Sequence, residues 1–223
     1  MQHLIEQEKF ELEVLDRLNS KRILEKLIFV GGTMLRLCHG LNRFSIDIDF
    51  WLTKKVNKNK LFIEINKYFS QFYKISDSAN KLNTLLFEFK SSKYPMNLKL
   101  EIRKEIKDIE TEQVIAYSKY SNIQVLLRVP TLEAMMSEKI DAFLERKEIR
   151  DIFDIEFLYK KGIELKESPE KLIKILDGIQ LFKKNDYKVK LGSLLEKEQR
   201  KYYINENFKI LKAAINEKLK VLD

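Results

Sequence analysis

The 223 residues carry 42 Lys and Arg against 34 Asp and Glu, a net charge of +8, and are 44% hydrophobic and 34% charged. Such a chain can bury a real core, and its length fits one large domain or, as we favour, a mid-sized domain with a smaller companion. The composition excludes a membrane-spanning helix, since no apolar run nears the ~20 residues one requires; with only Cys38, His3 and His39 as soft ligands it also excludes a zinc site, so any catalytic metal should be hard and oxygen-ligated, as Mg²⁺ is.

The opening MQHLIEQEKFELEVLDRL has no apolar h-region and no small-residue cleavage site. With the lone cysteine, this reads as a cytoplasmic protein. Leu4, Phe10, Leu12, Leu15, Leu18, Ile23 and Leu27 recur at helical spacing, predicting an amphipathic helix over 4–26. LIFV (27–30) is a short apolar run before Gly31-Gly32, a buried strand entering a tight turn. A helix follows from Thr33 to His39, with Thr33 near its N-cap and Gly40 at its C-cap.

SIDIDFWL (45–52) alternates strictly, so Ser45, Asp47 and Asp49 share one face and Ile46, Ile48 and Phe50 the other. KKVNKNK (54–60) is a polar loop, LFIEINKYFSQFY (61–73) a helix, and TLLFEFK (84–90), NLKLEIR (97–103) and NIQVLLRV (122–129) are strands. Pro130 cannot continue a ladder, and Thr131 is a natural N-cap for TLEAMMSEKIDAFLER. From there the chain reads as helical. The pattern predicts a mixed α/β part, 1–129, and a helical part, 130–223. Residues 160–223 hold 16 Lys and Arg against 10 Asp and Glu, so the basic excess lies in the C-terminal third and suits a nucleic-acid partner.

The chemistry concentrates in the first part. Asp47 and Asp49, at i and i+2 on a strand, project to one side about 7 Å apart and can share a divalent cation, which removes the repulsion the pair would otherwise suffer. Gly31-Gly32-Thr33 turns into a helix whose free N–H groups form an anion site suited to phosphates. Arg43, just before the strand, can reach a phosphate bidentately, and Ser45 shares the aspartates' face. Together these make a phosphate cradle, a basic clamp and metal carboxylates.

The ordered pattern Gly31-Gly32-Thr33, Arg43-Phe44-Ser45, Asp47-Ile48-Asp49-Phe50 resembles the nucleotidyltransferase toxins of the AbiEii/AbiGii family, within the DNA polymerase β-like nucleotidyltransferase superfamily. A later match strengthens it: Lys139, then Arg150-Asp151 and Asp154. The resemblance implies an α+β fold, a mixed β-sheet nucleotidyltransferase core flanked by helices (1–129), followed by a C-terminal helical bundle domain (130–223) that brings Lys139 and Asp154 to the cleft. It also implies Mg²⁺ or Mn²⁺ held by Asp47, Asp49 and a third carboxylate, Glu101 or else Glu88. The nucleotide would be bound by Gly31, Gly32, Thr33, Arg43, Ser45, Arg150 and Asp151, and Asp47, Asp49, Glu101, Lys139 and Asp154 would be catalytic. The family-like activity is transfer of a nucleoside monophosphate from an NTP to an acceptor hydroxyl, on RNA such as tRNA, by a toxin neutralised by a cognate antitoxin. The alternatives are a protein hydroxyl as acceptor, or a catalytically silent RNA- or partner-binding module. Sugar transfer also uses an Asp-x-Asp pair, yet leaves the glycine turn and the Lys139 to Asp154 segment without a role.

Overall fold

A computed structural model describes residues 1–53 and 55–222. The chain divides into two compact units, Met1–Pro130 and Thr131–Asp223. The first begins with helix α1 (Gln2–Ser20), shorter than the periodicity predicts. It stops where Arg22 takes a left-handed backbone and a 3-10 turn, Leu24–Lys26, leads into β1 (Leu27–Val30). Then come α2 (Gly31–His39), β2 (Asp47–Leu52), α3 (Lys58–Phe69), β3 (Lys74–Asn80), β4 (Thr84–Lys90), β5 (Leu98–Ile106), β6 (Thr111–Ser118) and β7 (Ser121–Pro130).

Five strands form one sheet in the order β1-β2-β5-β4-β3, in which β2 and β5 run parallel and the other pairs antiparallel; β6 and β7 form a separate hairpin. Alternation dictates this arrangement at β5, where Leu98, Leu100 and Ile102 are buried while Lys99 and Glu101 stand on the other face. Aromatic stacking fills the core beneath the sheet: Phe10 on Tyr94 at 4.5 Å and Phe69 on Phe89 at 4.6 Å between ring centroids.

Two strands escape the sequence pattern. Lys74–Asn80 is an edge strand with little burial, so it lacks an apolar rhythm, and Thr111–Ser118 buries only Ala116 and Ser118. Helix α3 begins three residues before the predicted span, where the Asn57 side chain accepts the Lys60 amide at 2.9 Å, and ends four residues early, at Phe69. Residue 54 of the polar loop lies outside the described residues.

The second unit is helical: α4 (Leu132–Arg146), α5 (Ile149–Lys160), α6 (Pro169–Gln180), a π-helical turn (Asp186–Leu191), a 3-10 turn (Gly192–Leu194), α7 (Lys197–Glu206) and α8 (Lys209–Leu222). Thr131 caps α4, its hydroxyl accepting the Ala134 amide, and Ser168 with Pro169 starts α6 in the same way. On α5, Glu156 is fully buried and bound at both oxygens: Lys160 and the Tyr203 hydroxyl donate to Oε1 at 2.6 and 2.8 Å, the Leu211 amide to Oε2 at 3.1 Å. One carboxylate therefore ties α5 to α7 and α8.

Candidate active site

Local structure around the glycine turn departs from the expected capping. Helix α2 begins at Gly31, so Thr33 lies inside its first turn and caps nothing; instead its buried hydroxyl donates to the Asp47 carbonyl, fastening the start of the helix to the first residue of β2. Gly40 does close the helix, in the left-handed conformation at φ +76, with its amide on the Arg36 carbonyl.

The two glycines are demanded by the protein's own side chains. Gly31 has φ +84, and a methyl group on it would lie 2.8 Å from Asp49 Oδ2. On Gly32 a methyl group would collide with the Arg43 guanidinium and lie 3.0 Å from Ser45 Oγ. Arg43 is thus folded beneath the turn, only 3% exposed, with Nη1 donating to the Phe44 carbonyl at 3.0 Å. The turn, the arginine, the serine and Asp49 form one closely packed group. The first amides of α2, which have no acceptor within the helix, belong to that group.

Register brings the acidic residues together. Across the parallel pair β2–β5, Asp47 lies opposite Lys99 and Asp49 opposite Glu101. Glu88 on β4 lies opposite Lys99, a further strand away from Asp49, and its Oε1 accepts from Ser76 Oγ at 3.1 Å and from Asn97. Of the two glutamates, Glu101 is therefore the neighbour of the aspartates. Lys99 Nζ contacts Glu101 Oε1 at 2.5 Å; that hydrogen bond, with the charges of Glu101, Asp47 and Asp49, holds the lysine above its ordinary pKa despite partial desolvation. Lys99 is not among the residues the sequence singles out, although the alternation in LKLEIR places it on the face of Glu101.

Beneath the strands, α1 supplies buried polar groups that its amphipathic pattern assigns to solvent. Gln7 Nε2 donates to the Ile46 and Asn97 carbonyls at 3.1 and 3.3 Å, clasping the entries to β2 and β5. Glu8 accepts from Arg36 and from the Ser118 hydroxyl. Glu11 is fully buried, and neither carboxyl oxygen has a hydrogen-bond partner among the described residues; burial, with the neighbouring charges of Glu8 and Asp47, pushes its pKa well up against the opposing pull of Arg36.

Four sequence candidates lie in the second unit, on α4 and α5. Lys139 is 6% exposed and pairs with Asp154 Oδ2 at 2.6 Å and Asp151 Oδ1 at 3.5 Å. Arg146, which the sequence did not single out, clamps Asp151 bidentately at 2.6 and 2.7 Å, and Arg150 is exposed on the first turn of α5. The ammonium thus rests between two buried carboxylates.

For a divalent cation, the donors in the first unit have the right chemistry: three hard oxygen ligands on adjacent strands of one face. Among the described residues no group of three or more His, Cys, Asp or Glu side chains stands arranged to hold a metal ion. Asp47 and Asp49, with Glu101 alongside in register, offer the kind of oxygen donor such an ion takes.

A family model described as "Nucleotidyl transferase AbiEii toxin, Type IV TA system" matches residues 13–214. Among solved structures, the chain is similar to a candidate nucleotidyltransferase from Helicobacter pylori, at 20% identity over 96% of this chain and 97% of that one, with a TM-score of 0.57. It is also similar to JHP933 from Helicobacter pylori, at 20% identity over 96% and 95% of the two chains, with a TM-score of 0.55. No curated protein matches. At that identity the solved structures speak for the fold, a nucleotidyltransferase-like mixed sheet with accompanying helices, whereas the family model covers most of the sequence. The chain belongs to the AbiEii family of nucleotidyltransferase toxins of type IV toxin-antitoxin systems.

Proposed function

We propose that the protein transfers a nucleoside monophosphate from an NTP to a hydroxyl of an RNA acceptor, tRNA being the first choice, with Mg²⁺ or Mn²⁺ bound by Asp47 and Asp49 and Glu101 standing beside them. The acceptor hydroxyl releases its proton to solvent as its oxygen forms a bond to the α-phosphorus, the bond from that phosphorus to the bridging oxygen breaks, and pyrophosphate leaves. The observation that carries this reading is the meeting of Gly31 with the Asp49 carboxylate, Asp49 being itself in register with Glu101. A phosphate-binding helix start and an acidic strand pair are thereby held within a few ångströms of each other.

In this reading the α2 amides at Gly32 and Thr33, with Ser45 Oγ, bind the β- and γ-phosphates, while Arg43 stiffens the turn from beneath and adds positive charge to it. The Thr33 hydroxyl, already given to the Asp47 carbonyl, contributes alignment rather than a phosphate interaction. The bound cation supplies charge neutralisation on the triphosphate and polarisation of the α-phosphoryl group. By family likeness Lys139 is assigned to offsetting the charge of the departing pyrophosphate, Arg150 and Asp151 to nucleotide binding and Asp154 to catalysis; Asp151 and Asp154 hold the Lys139 ammonium between them. Support for RNA comes from the basic C-terminal third, with Lys183, Lys184, Lys188, Lys190, Arg200 and Lys201. Family membership implies a cognate antitoxin. Among the described residues no helix is long and apolar enough to cross a membrane.

The test is label transfer. Purified protein with each α-labelled NTP, Mg²⁺ and total tRNA should label RNA, and Asp47→Asn should lose at least about 10²-fold of the rate. Label appearing in protein instead would move the acceptor to a protein hydroxyl. Equal labelling by wild type and variant would sink the assignment of the site.

A further inference from the structure

We propose that Lys99 is a tethered cation of the acidic face. It neutralises Glu101 and thereby limits the strands' own carboxylates to holding one divalent ion, at Asp47 and Asp49, and it weakens that ion's binding. The proposal rests on the nucleotidyl-transfer reading and deepens it by naming a positioning residue.

The observations are ones of place and charge. On the parallel pair β2–β5, four side chains project from one face in two rows, Asp47 beside Lys99 and Asp49 beside Glu101, so the lysine is the immediate cross-strand neighbour of one aspartate and lies diagonal to the other. Its ammonium is on the Glu101 carboxylate at 2.5 Å, and its stem is 43% exposed. On its other side, β4 brings Glu88 into register with it, yet Glu88 is engaged by Ser76 and Asn97, so the ion pair Lys99 makes is the one toward the site. Three carboxylates on two strands would repel one another, and an ammonium among them lowers that cost before any metal arrives. The same charge must then oppose an incoming dication. A lysine suits this role because its flexible stem lets the ammonium withdraw toward solvent.

The experiment measures Mn²⁺ binding directly, by calorimetry and by the free-Mn²⁺ EPR signal, with a non-hydrolysable NTP analogue present and absent. Thermal melts in EDTA run alongside. Wild type is expected to bind one Mn²⁺ without nucleotide. Lys99→Ala should bind the first ion about tenfold or more tightly, admit a second at Glu101, and melt at lower temperature in EDTA, with the deficit recovered on adding Mn²⁺. Lys99→Arg, which keeps the charge, should bind Mn²⁺ as wild type does. A purely structural lysine would lower the melting point in every variant without tightening Mn²⁺. A lysine serving as a phosphate ligand would weaken the analogue and leave Mn²⁺ unchanged in its absence. Either pattern overturns the proposal while wild-type Mn²⁺ binding preserves the nucleotidyl-transfer reading; failure of wild type to bind Mn²⁺ with or without nucleotide overturns both.

Discussion

Gly31 and Gly32 read in the sequence as a tight turn before a helix start suited to phosphates; in the fold the space a side chain would need there is filled by Asp49 on one side and by Arg43 and Ser45 on the other. Gly31→Ala must therefore bear a left-handed backbone, about 1–2 kcal/mol for a residue with a Cβ, and also push Asp49 Oδ2 aside. We expect a melting point lower by a few degrees and a fall in nucleotidyl transfer of about 10²-fold, because a shift of roughly 1 Å at a reacting centre suffices for that. Label transfer within a few-fold of wild type would show that the close approach to Asp49 has no functional weight. Cys38, by contrast, is buried with its thiol pushed up to about 12 by burial and the charge of Glu112, which makes it an inert core residue.

Among the elements, α1 does more than cover the sheet. Besides Gln7 at the strand entries, Glu13 gathers the hydroxyls of Tyr73 and Tyr94, each at 2.7 Å, and Lys93 at 2.7 Å. Burial works against its charge, yet the hydrogen bonds from Lys93, Tyr73 and Tyr94 lower its pKa to about 2 from an ordinary value of 4.5. Since the folded value is depressed, this stabilisation is complete above roughly pH 4.5 and drains away as pH falls toward 2. Glu13→Gln should accordingly be less stable than wild type at pH 7, the gap narrowing on acidification; denaturant melts at pH 7 and pH 3 with an unchanged gap would refute it. The buried polar groups of α1 are invisible in the pattern, since Gln7, Glu8 and Glu11 interrupt no apolar period and read as solvent-facing. Legibility followed the physics elsewhere too: β5 and the first four residues of β2 announce themselves because each is buried on one face only, whereas β3 is an exposed edge with no face to alternate. Asp47, Asp49 and Glu101 could be placed by alternation alone. That Glu101, rather than Glu88, adjoins Asp49 depends on strand order, which a single sequence does not encode locally.

For the molecule as a whole, the basic excess and the acidic site occupy different units, and this separates two kinds of prediction. Charge in the second unit should govern RNA affinity and its salt dependence, much of it already balanced locally, as Lys190 is by Asp186 at 2.9 Å and Lys171 by Asp141 at 2.8 Å. Lys183→Glu with Lys184→Glu should weaken tRNA binding and flatten the plot of log affinity against log salt by about 0.7 for each phosphate that is no longer neutralised, with ATP-analogue binding unaltered. An unchanged slope in filter-binding titrations would remove this face from the RNA footprint. The parallel pairing of β2 with β5 has one more consequence, in time rather than in space. Between those strands the chain must complete α3, β3 and β4, so a growing polypeptide that has already made its glycine turn and both aspartates still lacks Lys99 and Glu101 beside them. On the proposed reading, the nascent chain stays inactive until β5 has emerged and docked against β2.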